Sequence, residues 1–363
     1  VTFKPPSILF KRVTAQSAAL AGLLACYVVL SLILFVQRIN PSLDGRSDEH
    51  IAADSVTYIY IADALREGRN DPFALAAMAA FPNTVWFPVL LTMALRSTFA
   101  IVIANYTMLL ASVLLFKKWL SFSTGAFIAL LLLNPTTTIS LLSVNKEMVD
   151  VLAVSLCMFA YRTHRHGVLA ASLLLALVNR FEVCAVMLCF LFAVSRFNPW
   201  RRHRTMTVAI VIVALSCLLP VFASTALSGR FEEAQDAGLI AQLDILEMHY
   251  LYAVAVLPKV AENLFGELAL GLDRSYILWF NSLADVIVLL VLVRRQLLTP
   301  RSDLIFFCTV GGAIMAVSLV VQPRYFYFIY ALLCLQAAQR RQRQVAGAGV
   351  SPGQPTGLPG IRG

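Results

Sequence analysis

Charge is what this 363-residue chain has least of: Asp, Glu, Lys and Arg together make up 13% of it, about half the share of an ordinary soluble domain. Hydrophobic residues make up 59%, and the mean hydropathy is +0.77. These values exclude a typical soluble globular reading. They also turn the net charge of +9 away from nucleic acid, because basic residues in such a chain read first as topology signals. Cysteine motifs are missing as well. Cys26, Cys157, Cys184, Cys189, Cys217, Cys308 and Cys334 all lie in apolar runs, and no CxxC pair occurs. They read as small buried hydrophobes. The five histidines are scattered, with no HExxH or similar cluster, so no metal ligands are assigned.

What the chain does have is apolar runs, at roughly 17–36, 98–116, 121–142, 148–161, 167–178, 183–195, 205–224, 276–293, 304–321 and 325–338. They predict an all-α, polytopic transmembrane helix bundle of about ten spans. The first run ends in "QRINPS", without a small-residue cleavage pattern, and is expected to be retained. With the N-terminal tail taken as inside, more than half of the 29 basic residues fall in inside turns and tails, from Lys4, Lys11 and Arg12 through Arg162 and Arg202 to Arg340 and Arg341. Asp303 is the one acid among them. The charge asymmetry predicts both termini in the cytoplasm. It divides the chain into a transmembrane domain, 1–338, with larger outer loops at 37–97 and 225–273, and a basic tail, 339–363. The Gly/Pro/Gln-rich tail is expected to be disordered beside anionic lipid. Prolines at 72, 82 and 88 in the first loop suit interfacial helices.

Four polar groups interrupt this apolar background on the predicted outer side: Asp54, the run Asn145-Lys146-Glu147, "NRFE" at 179–182, and "QPR" at 322–324. A charge in hydrocarbon costs roughly 2.5–3.5 kcal/mol even on mild scales. The run 148–161 gives about 21 Å of helix against a hydrocarbon core of about 30 Å, so these groups are expected below the membrane surface, around one shared cavity. Asn145 is expected to cap a helix that starts at Lys146. Glu147 in its first turn suits the helix dipole, whereas Lys146 opposes it and needs a counter-charge: Glu147, Glu182 or a bound anion. Asp150 is explained by a helix–helix hydrogen bond. Arg180 and Glu182 form either a local ion pair or a phosphate grip. Arg324 is a second phosphate candidate. Asp54, Tyr58 and Ala62 share one helical face. Residues 167–195 are read as a two-helix hairpin, since one long helix would place Arg180 near mid-bilayer.

The order of these residues resembles the GT-C superfamily of integral-membrane glycosyltransferases, which use polyprenyl-phosphate-linked sugars. The resemblance rests on "DSVTYIYIADALREG" (Asp54, Tyr58, Ala62, Leu65), the "NP" of Asn134 and Pro135, the turn Ser143 to Glu147, and the "R-x-E" of Arg180 and Glu182. It covers roughly 17–200. Ser55 stands where members often carry a second acid, so a divalent cation remains an option that the resemblance carries without assigned ligands. The resemblance implies an enzyme of polysaccharide or cell-envelope biosynthesis in the bacterial inner membrane. Its partners would be a polyprenyl-phosphate sugar, a glycan or lipid-linked acceptor, and membrane lipid. Glycosyl transfer needs a base for the acceptor hydroxyl and cations for the leaving phosphate. Asp54 is the expected base. Tyr58, Asn145, Lys146, Glu147, Arg180, Glu182 and Arg324 are the expected substrate-binding set. A repeat-unit polymerase would use the same lipid chemistry. A transporter or flippase would need cations along a whole path, whereas these gather on one side.

Overall fold

The computed structural model describes residues 15–40, 53–79, 85–226, 250–269, 276–299, 301–317 and 323–339. Among them are fifteen α-helices and no strand. In chain order they are α1 (Ala15–Leu34), α2 (Ala53–Arg66), α3 (Pro72–Ala79), α4 (Trp86–Leu95), α5 (Thr98–Lys117), α6 (Thr124–Leu132), α7 (Pro135–Leu142), α8 (Glu147–Thr163), α9 (His166–Asn179), α10 (Phe181–Val194), α11 (Arg204–Ala226), α12 (Tyr252–Ala269), α13 (Tyr276–Arg294), α14 (Asp303–Met315) and α15 (Tyr327–Ala337). A π-helical turn, Phe35–Ile39, extends α1, and a 3-10 turn, Pro323–Phe326, leads into α15. The all-α expectation holds for the described residues. Of these helices, Thr98–Lys117 alone is both long and apolar enough to cross a bilayer unaided. The tail beyond Gln339 and most of the second predicted loop, 227–249, lie outside the described residues.

The sequence explains where the helices break. The run 121–142 forms two helices, because Pro135 has no N–H to continue α6. Asn134 has extended backbone, and its Oδ1 accepts from Thr136 N at 2.9 Å, so the pair Asn-Pro ends one helix and caps the next. The two helices meet at 90°, so the stretch expected as one span is bent at its middle, as a broken span or a re-entrant loop. Pro72 opens α3 and Pro88 lies in the first turn of α4, where a missing N–H breaks no helical bond; Pro82 lies outside the described residues. Arg180 is extended (φ −158°, ψ 107°) between α9 and α10, so residues 167–195 form two helices that pack on each other.

The centre of the fold is α8. Twelve of its seventeen residues are buried, and it packs against α5, α7, α9, α10 and α15. The main core joins α8 to α10, α14 and α15 through Met148, Val151, Met187, Phe190, Phe307 and Phe328. Gly311 lets α14 approach closely: a Cβ there would meet Ile329 Cδ1 at 3.3 Å and Val186 Cγ1 at 3.4 Å. A second, smaller core of Tyr58, Ile61, Ala62, Val89, Ile101 and Val144 fixes α2 and α4 to the turn before α8.

Candidate functional site

The turn Ser143–Lys146 is the hub. Asn105, buried on α5, donates its amide to the carbonyls of Ser140 (3.0 Å), Leu141 (3.3 Å) and Ser143 (2.8 Å). Those carbonyls end α7 and lack helical partners, so the amide supplies what the helix terminus leaves open. The start of α2 docks onto the same turn, with the Ser55 hydroxyl donating to the Val144 carbonyl at 2.8 Å. Half-buried Asp54 is thereby held beside the turn, in the first helical turn of α2. One turn further, the buried ring of Tyr58 lies 5.7 Å from the Lys146 ammonium, a cation–π contact.

On the other flank of Lys146, two carboxylates of α8 meet the α9–α10 turn. Arg180 Nη2 lies 3.4 Å from Glu147 Oε1, and Arg180 Nη1 lies 3.2 Å from Asp150 Oδ2. Asn179 donates to Asp150 Oδ1 at 2.7 Å and to the Lys146 carbonyl at 3.0 Å. The Arg180 guanidinium also covers the Tyr325 ring at 5.0 Å, which brings in the 3-10 turn that carries Arg324. The Arg324 side chain itself lies outside the described residues. Thus α2, the α7–α8 turn, the α9–α10 turn and the start of α15 meet in one place.

Several pairings differ from those expected. Asn145 does not cap α8: the helix starts at Glu147, the cap position is Lys146, and the Asn145 amide donates to Ser143 Oγ at 2.7 Å. Arg180 pairs with Glu147 and Asp150 instead of Glu182. Residues two apart do not face one another at a helix start, and Glu182 is left in the first turn of α10, where the dipole suits it. Asp150 does make the expected interhelical hydrogen bond, to Asn179, and in addition the ion pair. Asn179 was visible within "NRFE" without a role. Tyr325 stood in the aromatic run "RYFYF", and nothing in that run distinguishes one ring from its neighbours.

The two cations differ in state. Arg180 is 7% exposed at its side chain and held by two acids. Lys146 is half-buried and forms no ion pair within 4 Å among the described residues. Burial lowers its ammonium from 10.5 to about 8; Arg180 adds to the fall, and Asp150, Glu147 and Glu182 oppose it. A half-buried cation with only a ring beneath it is suited to receive an anion. No group of three or more His, Cys, Asp or Glu is placed to hold a metal among the described residues. No protein-family model, curated protein or solved structure matches this chain.

Proposed function

We propose that this chain is an integral-membrane glycosyltransferase that moves a sugar from a polyprenyl-phosphate donor to a glycan or lipid-linked acceptor, on the outer face of a bacterial inner membrane. The observation that carries this reading is the position of Lys146: an ammonium without an ion-pair partner among the described residues, set between the helix of Asp54 and a dry carboxylate–guanidinium cluster. In this reading Asp54 removes the proton of the acceptor hydroxyl. The oxygen attacks the anomeric carbon, the bond from that carbon to the phosphate oxygen breaks, and the lipid phosphate leaves against Lys146, with Arg324 as a second cation. Asn145 and Glu182 border the sugar, and Tyr58 supports Lys146 from below. Arg180 and Glu147 act as the rigid wall of the site, because direct contact between Arg180 and phosphate would require it to give up a buried pair.

The test is radiolabelled-sugar transfer from a panel of polyprenyl-phosphate donors in membranes containing the protein. Transfer with one donor is the expected result, and products longer than one sugar would instead indicate a polymerase. No transfer from any donor would remove the proposal. Orientation is tested separately in a background free of native cysteines. Cysteine at Asp48 or Gln235 should react with an impermeant thiol reagent applied from outside, and cysteine at Arg202 or Arg341 should not.

A further inference from the structure

Away from this site, α13 carries two buried polar groups that the proposed chemistry leaves unused. Asp285 is 6% exposed and Ser282 is fully buried. They stand three residues apart, as neighbours on one helix. Ser282 Oγ has no hydrogen-bond partner among the described residues, and no ion pair within 4 Å reaches Asp285 there. Ser282 departs from the habit of this protein. Buried helical hydroxyls such as Thr92, Ser112 and Ser216 donate to the carbonyl four residues back, at 2.8–2.9 Å, as helical Ser and Thr commonly do.

The neighbourhood of Asp285 includes an amide oxygen acceptor and a tyrosine hydroxyl that is already engaged. One turn along α13, Asn281 Oδ1 accepts from Thr136 N at 3.1 Å, at the elbow between α6 and α7. Asp285 faces the side of α15 that bears Tyr330 and Cys334. The Tyr330 hydroxyl is engaged by the Leu130 carbonyl, near the C-terminal end of α6. That end carries the negative pole of the helix. An ionised carboxylate in such a place is costly unless a positive charge joins it. A single positive charge neutralises it, whereas a divalent ion would leave a buried net charge. Carboxylate and hydroxyl are hard oxygen ligands, which suit an alkali cation over a soft metal.

We infer that Asp285 and Ser282, beside the elbow of α6 and α7, form a binding site for a monovalent alkali cation, with sodium the ion to test. The site is separate from the Lys146 cluster and does not depend on the proposed transfer reaction. The experiment is thermal unfolding of the purified protein in detergent, in sodium, potassium or choline chloride at matched ionic strength and pH about 8. Sodium at saturation should raise the melting temperature of the parent by about 3–5 °C over choline. Asp285→Asn should fold and lose the rise, and Ser282→Ala should need more sodium for the same rise. Lowering the pH should shift the sodium midpoint upward, because a proton competes for the same carboxylate. Equal melting temperatures of the parent in all three salts would overturn the inference and make Asp285 a protonated acid. So would an undiminished rise in Asp285→Asn. Should that variant fail to fold, radioactive sodium binding to the parent decides: about one ion per chain supports the site, and none overturns it.

Discussion

The two ends of α8 each carry an ionic cluster, and the two are built differently. At the C-terminal end, Arg162 and Arg204 share Asp303, one on each carboxylate oxygen. Their side chains are 45% and 23% exposed, and Arg204 also donates to the Arg301 carbonyl at 2.9 Å. At the N-terminal end, Glu147, Asp150 and Arg180 are each no more than 7% exposed. There Glu147 Oε2, Asp150 Oδ2, Asn179 Oδ1 and Arg180 Nη1 make no hydrogen bond, although Nη1 and Oδ2 are within ion-pair range. The first cluster sets two partly exposed guanidinium groups on one buried carboxylate, and clamps α8, α11 and α14 together. The second is dry and incompletely satisfied, an arrangement of high cost for its benefit to stability. Such a cluster suits a rigid wall beside a ligand site better than a device for stability.

The largest expected effect breaks the dry cluster. Arg180→Met leaves two buried carboxylates without their cation and should cost about 3–5 kcal/mol, read as thermal stability in detergent. Adding Glu147→Gln and Asp150→Asn should recover most of the loss. A loss below about 1 kcal/mol would place Arg180 in a water-filled space and erase the contrast between the two ends. The next effect is on chemistry. Asp54→Asn should lower turnover by about 10²-fold or more, about 2.7 kcal/mol at the barrier, with donor binding retained. Near-normal turnover would reduce Asp54 to a helix-start residue.

Some of this arrangement was legible in the sequence because buried polarity is costly and therefore conspicuous. Charged residues inside apolar runs marked three of the segments that meet around Lys146, whereas "NP" was expected inside a single span, 121–142. The break at Arg180 followed from the depth an unbroken helix would impose on its charge. The partner of Arg180 was not legible. Proximity in sequence favoured Glu182, whereas the pairing depends on how α9 and α10 pack on α8, which presents Glu147 and Asp150 one turn apart. The 90° bend was equally hidden: Asn-Pro dictates that a helix restarts, and the direction is set by distant partners such as Asn281 and Tyr327, whose hydroxyl lies 3.1 Å from Thr137 Oγ1.

A smaller effect sharpens the comparison at Lys146, beside the dry cluster. The free Lys146 ammonium loses its proton above about 8, and a bound phosphate diester, which does not itself titrate there, holds that proton on. Binding then takes up a proton. Donor affinity should fall by about tenfold per pH unit above that point, and Lys146→Arg should be flat over the same range. Parallel pH profiles for the two proteins would move the phosphate away from Lys146.

The smallest effect is expected at the more exposed end. Arg162→Ala removes one of the two cations on Asp303 and the stacking of its guanidinium 5.5 Å from the Trp119 ring. Arg204 remains on the same carboxylate, and water reaches the vacated oxygen, because the side chain removed is nearly half exposed. Screening and side-chain entropy reduce such a pair to about 1 kcal/mol at most. Turnover should be unchanged, since this cluster lies some 24 Å of helix away from Lys146. Added salt should narrow the stability difference between parent and variant, as it does for exposed pairs, and should leave the Arg180→Met deficit in place. A salt-insensitive loss for Arg162→Ala as large as that of Arg180→Met would show that exposure is not what separates the two ends. The pairing of the Asp303 carboxylate with two guanidinium groups would then have to account for the clamp on its own.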